Sequence, residues 1–182
     1  MARNGTCLNG WPAWDSSTDS ALRWIEIPGV KRKVLVASKA APVFAAFLYD
    51  WHRLMGYRLK LNVGPIDGWE YRDARSANGL SCHAGGVAVD VRYDVLLADR
   101  KRHMTRAEIQ TMNVILDTYV DDTGRRLFGW GGDWDEGSYM DEMHTELAQS
   151  WAIGAQGRAT TYNDIQAVRR RLKIDRNGNR PL

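Results

Sequence analysis

The sequence predicts an α+β fold, a small, mostly antiparallel sheet with flanking helices. Apolar residues recur at helical spacing in three separated stretches, short runs such as VAVDV and MHTEL alternate as strands do, and turns marked by glycine or proline join them. A length of 182 residues, 44% of them hydrophobic, suits one domain with a real core. We assign residues 1–159 to that domain, N-terminal extension included, and 160–182 to a C-terminal amphipathic helix and polar tail.

Taken in order, RWIEIPGV and RKVLVA predict a strand pair about the Pro28-Gly29 turn. Ser38 is placed to N-cap a helix beginning near Ala40, with Pro42 in its first turn, Val43, Phe47, Trp51, Leu54 and Met55 at helical spacing, and Gly56 ending it. YRLKLNVG alternates as a strand should. GWEYRDARSANG reads as a long connection that carries Arg72 and Arg75. TRAE, Thr105 to Glu108, fits a capping box. Its helix has Ile109, Met112, Leu116, Tyr119 and Val120 on the apolar side, and Gly124 closes it. RLFGWGGDW predicts a strand entering a Gly-rich turn, and MHTEL another strand. The last segment predicts an amphipathic helix with Ile165, Val168 and Leu172 inward.

Lys and Arg total 25 against 22 for Asp and Glu, a formal charge of +3, too mild to imply a nucleic-acid partner. An anionic polymer such as a cell wall stays compatible. Cys7 and Cys82 make no disulfide framework, which fits synthesis in a reducing compartment. No stretch approaches the ~20 apolar residues of a membrane helix. The opening MARNGTCLNGWPAW also lacks the apolar core of a secretion signal, so action outside a cytoplasm requires a separate means of release. Most of the eight Trp read as packing, although exposed ones could line a groove.

The chemistry concentrates in LSCHAGGVAVDV, Leu80 to Val91. In one continuous strand His83 and Asp90 would lie about 23 Å apart. Gly85 and Gly86 tolerate positive φ, so the chain can reverse between them and bring both side chains to one point. Strand alternation in VAVDV puts Val87, Val89 and Val91 on one face and Asp90 on the other, beside the small Ala88. With His144 of MHTEL, His83 and Asp90 supply the three His or carboxylate ligands usual for catalytic zinc. The same residues also read as an ordinary polar strand aspartate and a turn histidine, and spacing does not choose. Asp141, three residues before His144, can take a proton from a metal-activated water if the chain bends before the strand. Asp135, Glu136 and Glu142 compete for that role, and all four also read as solvated loop charges.

Ser81, His83, Gly86, Ala88 and Asp90 match the S-x-H-x-x-G-x-A-x-D signature of the VanY-like zinc peptidases at every position. WGGDW followed by DEMHTE resembles that family's second block, with threonine where phenylalanine is usual. GWEYR and NGWP are most similar to the peptidase modules of actinobacterial phage endolysins, so the resemblance runs from about residue 8 to 150. It implies a VanY/hedgehog-like fold, zinc (Zn2+) on His83, Asp90 and His144, and Asp141 as general base. Arg72 matches the arginine that stabilises the oxyanion, with Arg75 as its rival. Ser81 is expected to brace the histidine strand, and Glu146 and Asp133 to fix ligand imidazoles. Alternation turns Cys82 away from His83, as a buried thiol rather than a fourth ligand.

The implied activity is that of a phage endolysin cutting a peptide bond in peptidoglycan stem peptides, between L-alanine and D-glutamate. The implied protein is a monomer that needs no cofactor beyond zinc and neither binds nucleic acid nor inserts in a membrane. It would wait in the host cytoplasm for release through a separate pore protein. Two alternatives stand: a D-Ala-D-Ala carboxypeptidase, and a non-catalytic wall-binding or phage structural module.

Overall fold

The computed structural model describes residues 3–75, 77–134 and 139–181. The chain runs β1 (Arg3–Thr6), β2 (Pro12–Trp14), β3 (Leu22–Ile27), β4 (Val30–Ala37), α1 (Ala41–Leu54), β5 (Ile66–Asp67), β6 (Ala88–Val91), α2 (Arg106–Thr118), β7 (Phe128–Trp130), β8 (His144–Leu147) and α3 (Tyr162–Arg171). β1 pairs with β2, β3 with β4, and the remaining four strands form one antiparallel sheet ordered β5-β6-β8-β7. The fold is α+β, with the β3–β4 hairpin turning at Pro28-Gly29.

Helix α1 is the hub, buried almost all round from Ala41 to Trp51, as an Ala- and Phe-rich helix must be when it has neighbours on every side. Phe47 sits 4.8 Å from the Phe128 ring and 6.0 Å from Tyr119, joining α1 to the sheet and to the end of α2. Each such aromatic taken out of water contributes roughly 1.5–3 kcal/mol. Ser38 does not cap α1: the N-cap is Ala40, with no side-chain bond, and the Ser38 hydroxyl donates to the Ser20 carbonyl instead. Pro42 lessens the cost by removing one orphan N–H.

YRLKLNVG is two 3-10 turns, Tyr57–Leu59 and Leu61–Val63, rather than a strand. Leu59 and Leu61 are both fully buried, so the alternation marks two inward leucines. Trp51 Nε1 donates to the Leu59 carbonyl at 2.8 Å, a side-chain partner in place of a neighbouring strand. Thr105 and Glu108 make both bonds of the capping box at α2. That helix ends at Thr118, earlier than Gly124, which serves the following turn by donating its N–H to the Asp121 carbonyl. The C-terminal tail is docked, not free. Ile165, Val168 and Ile174 join the core, and Arg180 bonds Asp50 at 2.7 Å beside the Tyr119 hydroxyl. Among the described residues no helix is long and apolar enough to cross a membrane.

Candidate metal centre

Strands β6 and β8 pair with Asp90 opposite His144 and Ala88 opposite Glu146. A side-chain period of two puts these four on one face, where directly opposed pairs meet. Glu146 is flanked by Ala88 on β6 and Gly129 on β7, small neighbours that leave room for its carboxylate.

His83 reaches the same point from a turn, not from the strand expected for it. Cys82–Gly85 form one 3-10 turn, capped by Ser81, whose hydroxyl accepts from His83 N at 3.3 Å. Gly86 ends it at φ +63. A Cβ there would stand 2.6 Å from Ala37 N, so glycine is required by conformation and by space. The reversal between His83 and Asp90 is thus a helical turn closed by one left-handed glycine.

The three donors converge. His83 Nε2 lies 3.1 Å from His144 Nδ1 and 3.2 Å from Asp90 Oδ1, and His144 Nδ1 lies 2.9 Å from the same oxygen. Tetrahedral zinc with N and O donors at about 2.0–2.1 Å spaces them by about 3.3 Å, so the set fits with small adjustment. The far nitrogens are taken: His83 Nδ1 donates to the Gly68 carbonyl at 2.5 Å, and His144 Nε2 to Glu146 at 3.1 Å. Those two bonds fix which nitrogen of each ring faces the centre. Gln149 in turn donates to Glu146 at 2.6 Å.

Electrostatics agree with a cation site. Burial opposes charge on His144, yet its bonds to Asp90 and Glu146 raise its pKa to about 10. Burial likewise opposes charge on Asp90, but the two imidazoles hold it well below the usual carboxylate range. A proton on His144 does in the metal-free chain what a cation would do.

Asp141 is buried beside this cluster, its carboxyl raised by burial against the pull of His144. Its Oδ1 has no hydrogen-bond partner among the described residues. The required bend is present: His144 N donates to the Asp141 carbonyl at 3.0 Å, and Asp141 N to Gly131 O at 3.1 Å. A Cβ on Gly131 would lie 2.3 Å from Asp141 O, which accounts for glycine at this position of WGGDW. Glu142 is occupied, accepting from the His103 and Met104 N–H groups at 2.6 and 2.7 Å. Asp135 and Glu136 lie outside the described residues.

Asp133 does not reach either imidazole of the cluster. It lies 3.7 Å from Arg126, and the Gly68 carbonyl and Glu146 hold the two rings. Arg72 and Arg75 both line a cleft of about 350 Å³ that includes Asp141 and His144. Arg72 Nε is bonded to Glu70 at 2.7 Å, whereas Arg75 bonds Tyr139 and its charge acts on Asp90 and Asp141. Cys82 is buried with its thiol raised by burial, and it bonds Glu146 rather than the donor cluster. Gly68, Gln149 and Tyr139 were not legible as site residues. A backbone carbonyl leaves no side-chain signal, and the other two fall in no periodic or spaced pattern.

The comparisons with known proteins bear on the same segment. No curated protein and no solved structure matches the chain. Residues 74–147, which hold His83, Asp90, Asp141 and His144, match the family model described as D-alanyl-D-alanine carboxypeptidase.

Proposed function

We propose that the chain is a zinc-dependent peptidase of peptidoglycan stem peptides, with His83, Asp90 and His144 as ligands. The observation that carries the reading is the convergence of these three oriented donors beside a buried carboxylate with a free oxygen. Zinc held there would lower the pKa of a water and polarise the scissile carbonyl. Asp141 is the carboxylate that would accept the proton of the attacking water and return it to the leaving amine as the C–N bond breaks, giving a carboxylate and an amine. A guanidinium in the cleft steadies the charge that develops on the carbonyl oxygen. Arg75 is the better placed, because Arg72 is engaged by Glu70. Glu146 and the Gly68 carbonyl hold the ligand rings, and Ser81 holds the turn.

The bond we propose is L-alanyl-D-glutamate, the chain acting as a monomeric phage endolysin that reaches the wall from the host cytoplasm through a separate pore protein. This setting rests on the NGWP and GWEYR segments. The alternative, removal of the terminal D-alanine, is favoured by the description of the matched family. Digestion of purified peptidoglycan, with mass spectrometry of the products, decides. New D-glutamyl amino termini support the endopeptidase and free D-alanine the carboxypeptidase; neither product would refute both.

A further inference from the structure

A concavity of about 1030 Å³ shares no residue with the cleft around His144. One wall is the β3–β4 hairpin, the other the docked tail at residues 176–180, and small Ala41 and Ala45 of α1 lie between them. The walls carry Arg23, Lys31, Arg32, Lys33, Arg176 and Arg180, against Glu26 as the one acid. The lining is therefore more positive than the whole chain at +3, and the rest of the molecule is net negative. This is a concentration of charge that the mild total conceals.

The cations differ in their commitments. Arg180 is held by Asp50, and Lys33 pairs with Glu26 at 2.6 Å with both side chains largely exposed, a contact that competes weakly with a ligand. Arg23 bridges the walls, donating to the Arg176 carbonyl at 3.2 Å and to Asn177 at 3.3 Å. Lys31 and Arg176 have no ion pair among the described residues. Trp24 stands on the hairpin wall with 58% of its surface exposed, an apolar face beside the cations.

We propose that this groove binds an anionic wall polymer whose repeating phosphates are joined by polyol units, a poly(polyol phosphate). Cations on facing walls match charges repeated along a flexible chain, guanidinium groups grip phosphate oxygens in pairs, and the indole covers the apolar edge of a polyol. Bases would call for a run of stacking rings, and the groove offers a single exposed indole. The choice of a wall polymer rests on the proposed wall-directed activity; the charge of the groove does not.

The test is titration of the full chain with purified poly(glycerol phosphate), with duplex DNA and anionic phospholipid vesicles as competing probes. Lys31→Glu/Arg176→Glu should weaken polymer binding at least tenfold and make the salt dependence shallower, since fewer counterions are released. Arg100→Glu/Arg106→Glu, an equal charge change at exposed positions outside the groove, should bind within about twofold of the parent. Lys31→Ala/Arg176→Ala serves as a milder second variant. Equal loss in the groove pair and the control pair, or DNA or vesicles bound as tightly as the polymer, would overturn the proposal. Hydrolysis of a soluble stem peptide, followed in the same variants, should be unchanged. Absence of hydrolysis in the parent would count against the peptidase reading and leave the groove untouched.

Discussion

At the scale of single residues, the proposed zinc would have to compete with a proton for His144. Its pKa is raised to about 10 by Asp90 and Glu146, above the ordinary value near 6.5. In the metal-free chain its contribution to stability is fully present below about pH 6.5 and is lost as pH rises toward 10. Asp90, held low, acts at the other end: its contribution is present above about pH 4 and is lost as pH falls further. Urea unfolding of the chelated protein should therefore show lower stability at pH 9 than at pH 6, and His144→Gln should flatten that difference; a parent profile already flat would contradict the assignment. Asp141 is tested by rate. Asp141→Asn keeps the shape and removes the basicity, so hydrolysis should fall roughly 10²- to 10⁴-fold with zinc content near parental. Glu142→Gln should instead lower stability, because that carboxylate holds the His103 and Met104 N–H groups. Near-parental activity in Asp141→Asn would remove Asp141 from the mechanism. The His83, Asp90 and His144 cluster, with Asp141 beside it, was legible because side-chain chemistry at fixed spacing is what a sequence records. The Gly68 carbonyl was invisible because any residue carries one.

Among the elements, the 3-10 turn and its glycine decide whether His83 meets the strands. Gly86→Val forces a β-branched residue into the left-handed region, costing about 1–3 kcal/mol for the backbone alone, and drives a Cβ toward Ala37 N. The expected outcome is loss of zinc as well as stability. Gly124→Ala is the matched control, since Gly124 also has positive φ, at +80, but nothing lies within 4 Å of the added carbon. It should cost stability modestly and leave zinc content intact. Equal zinc loss in both variants would mean that the Gly86 turn has no special part in the site. Periodicity identified the β3–β4 hairpin, α2 and α3 from apolar residues recurring on one side, and it also found α1 and β8, although α1 is buried almost all round and every residue of β8 is buried. It failed at YRLKLNVG because Leu59 and Leu61 point inward from successive 3-10 turns, with the same spacing as a strand. Ser38 failed as a cap because a hydroxyl two residues early found the Ser20 carbonyl.

Across the whole molecule, the tail expected to be a polar end is part of the packing. Arg180 shares Asp50 with the Tyr119 hydroxyl, tying the C-terminus to α1 and to the end of α2. Arg180→Ala should lower unfolding stability by about 1.5–3 kcal/mol in urea titration, the range for a hydrogen bond to a charged group, without a change in zinc content. No measurable change would mean that the docked tail contributes nothing. Composition could not show this, since Arg-Asn-Gly-Asn-Arg reads as solvent-facing until Gly178 is seen packed against Ala45 and the Pro42 carbonyl. The same tail builds one wall of the cationic groove, while the proposed zinc site lies at the separate cleft lined by Asp141 and His144. The most direct test of that site is the metal content of the dialysed chain by elemental analysis. The parent should carry about one zinc per chain, His83→Ala and His144→Ala should lose most of it, and Asp141→Asn should keep it; full zinc occupancy in both histidine variants would contradict the account.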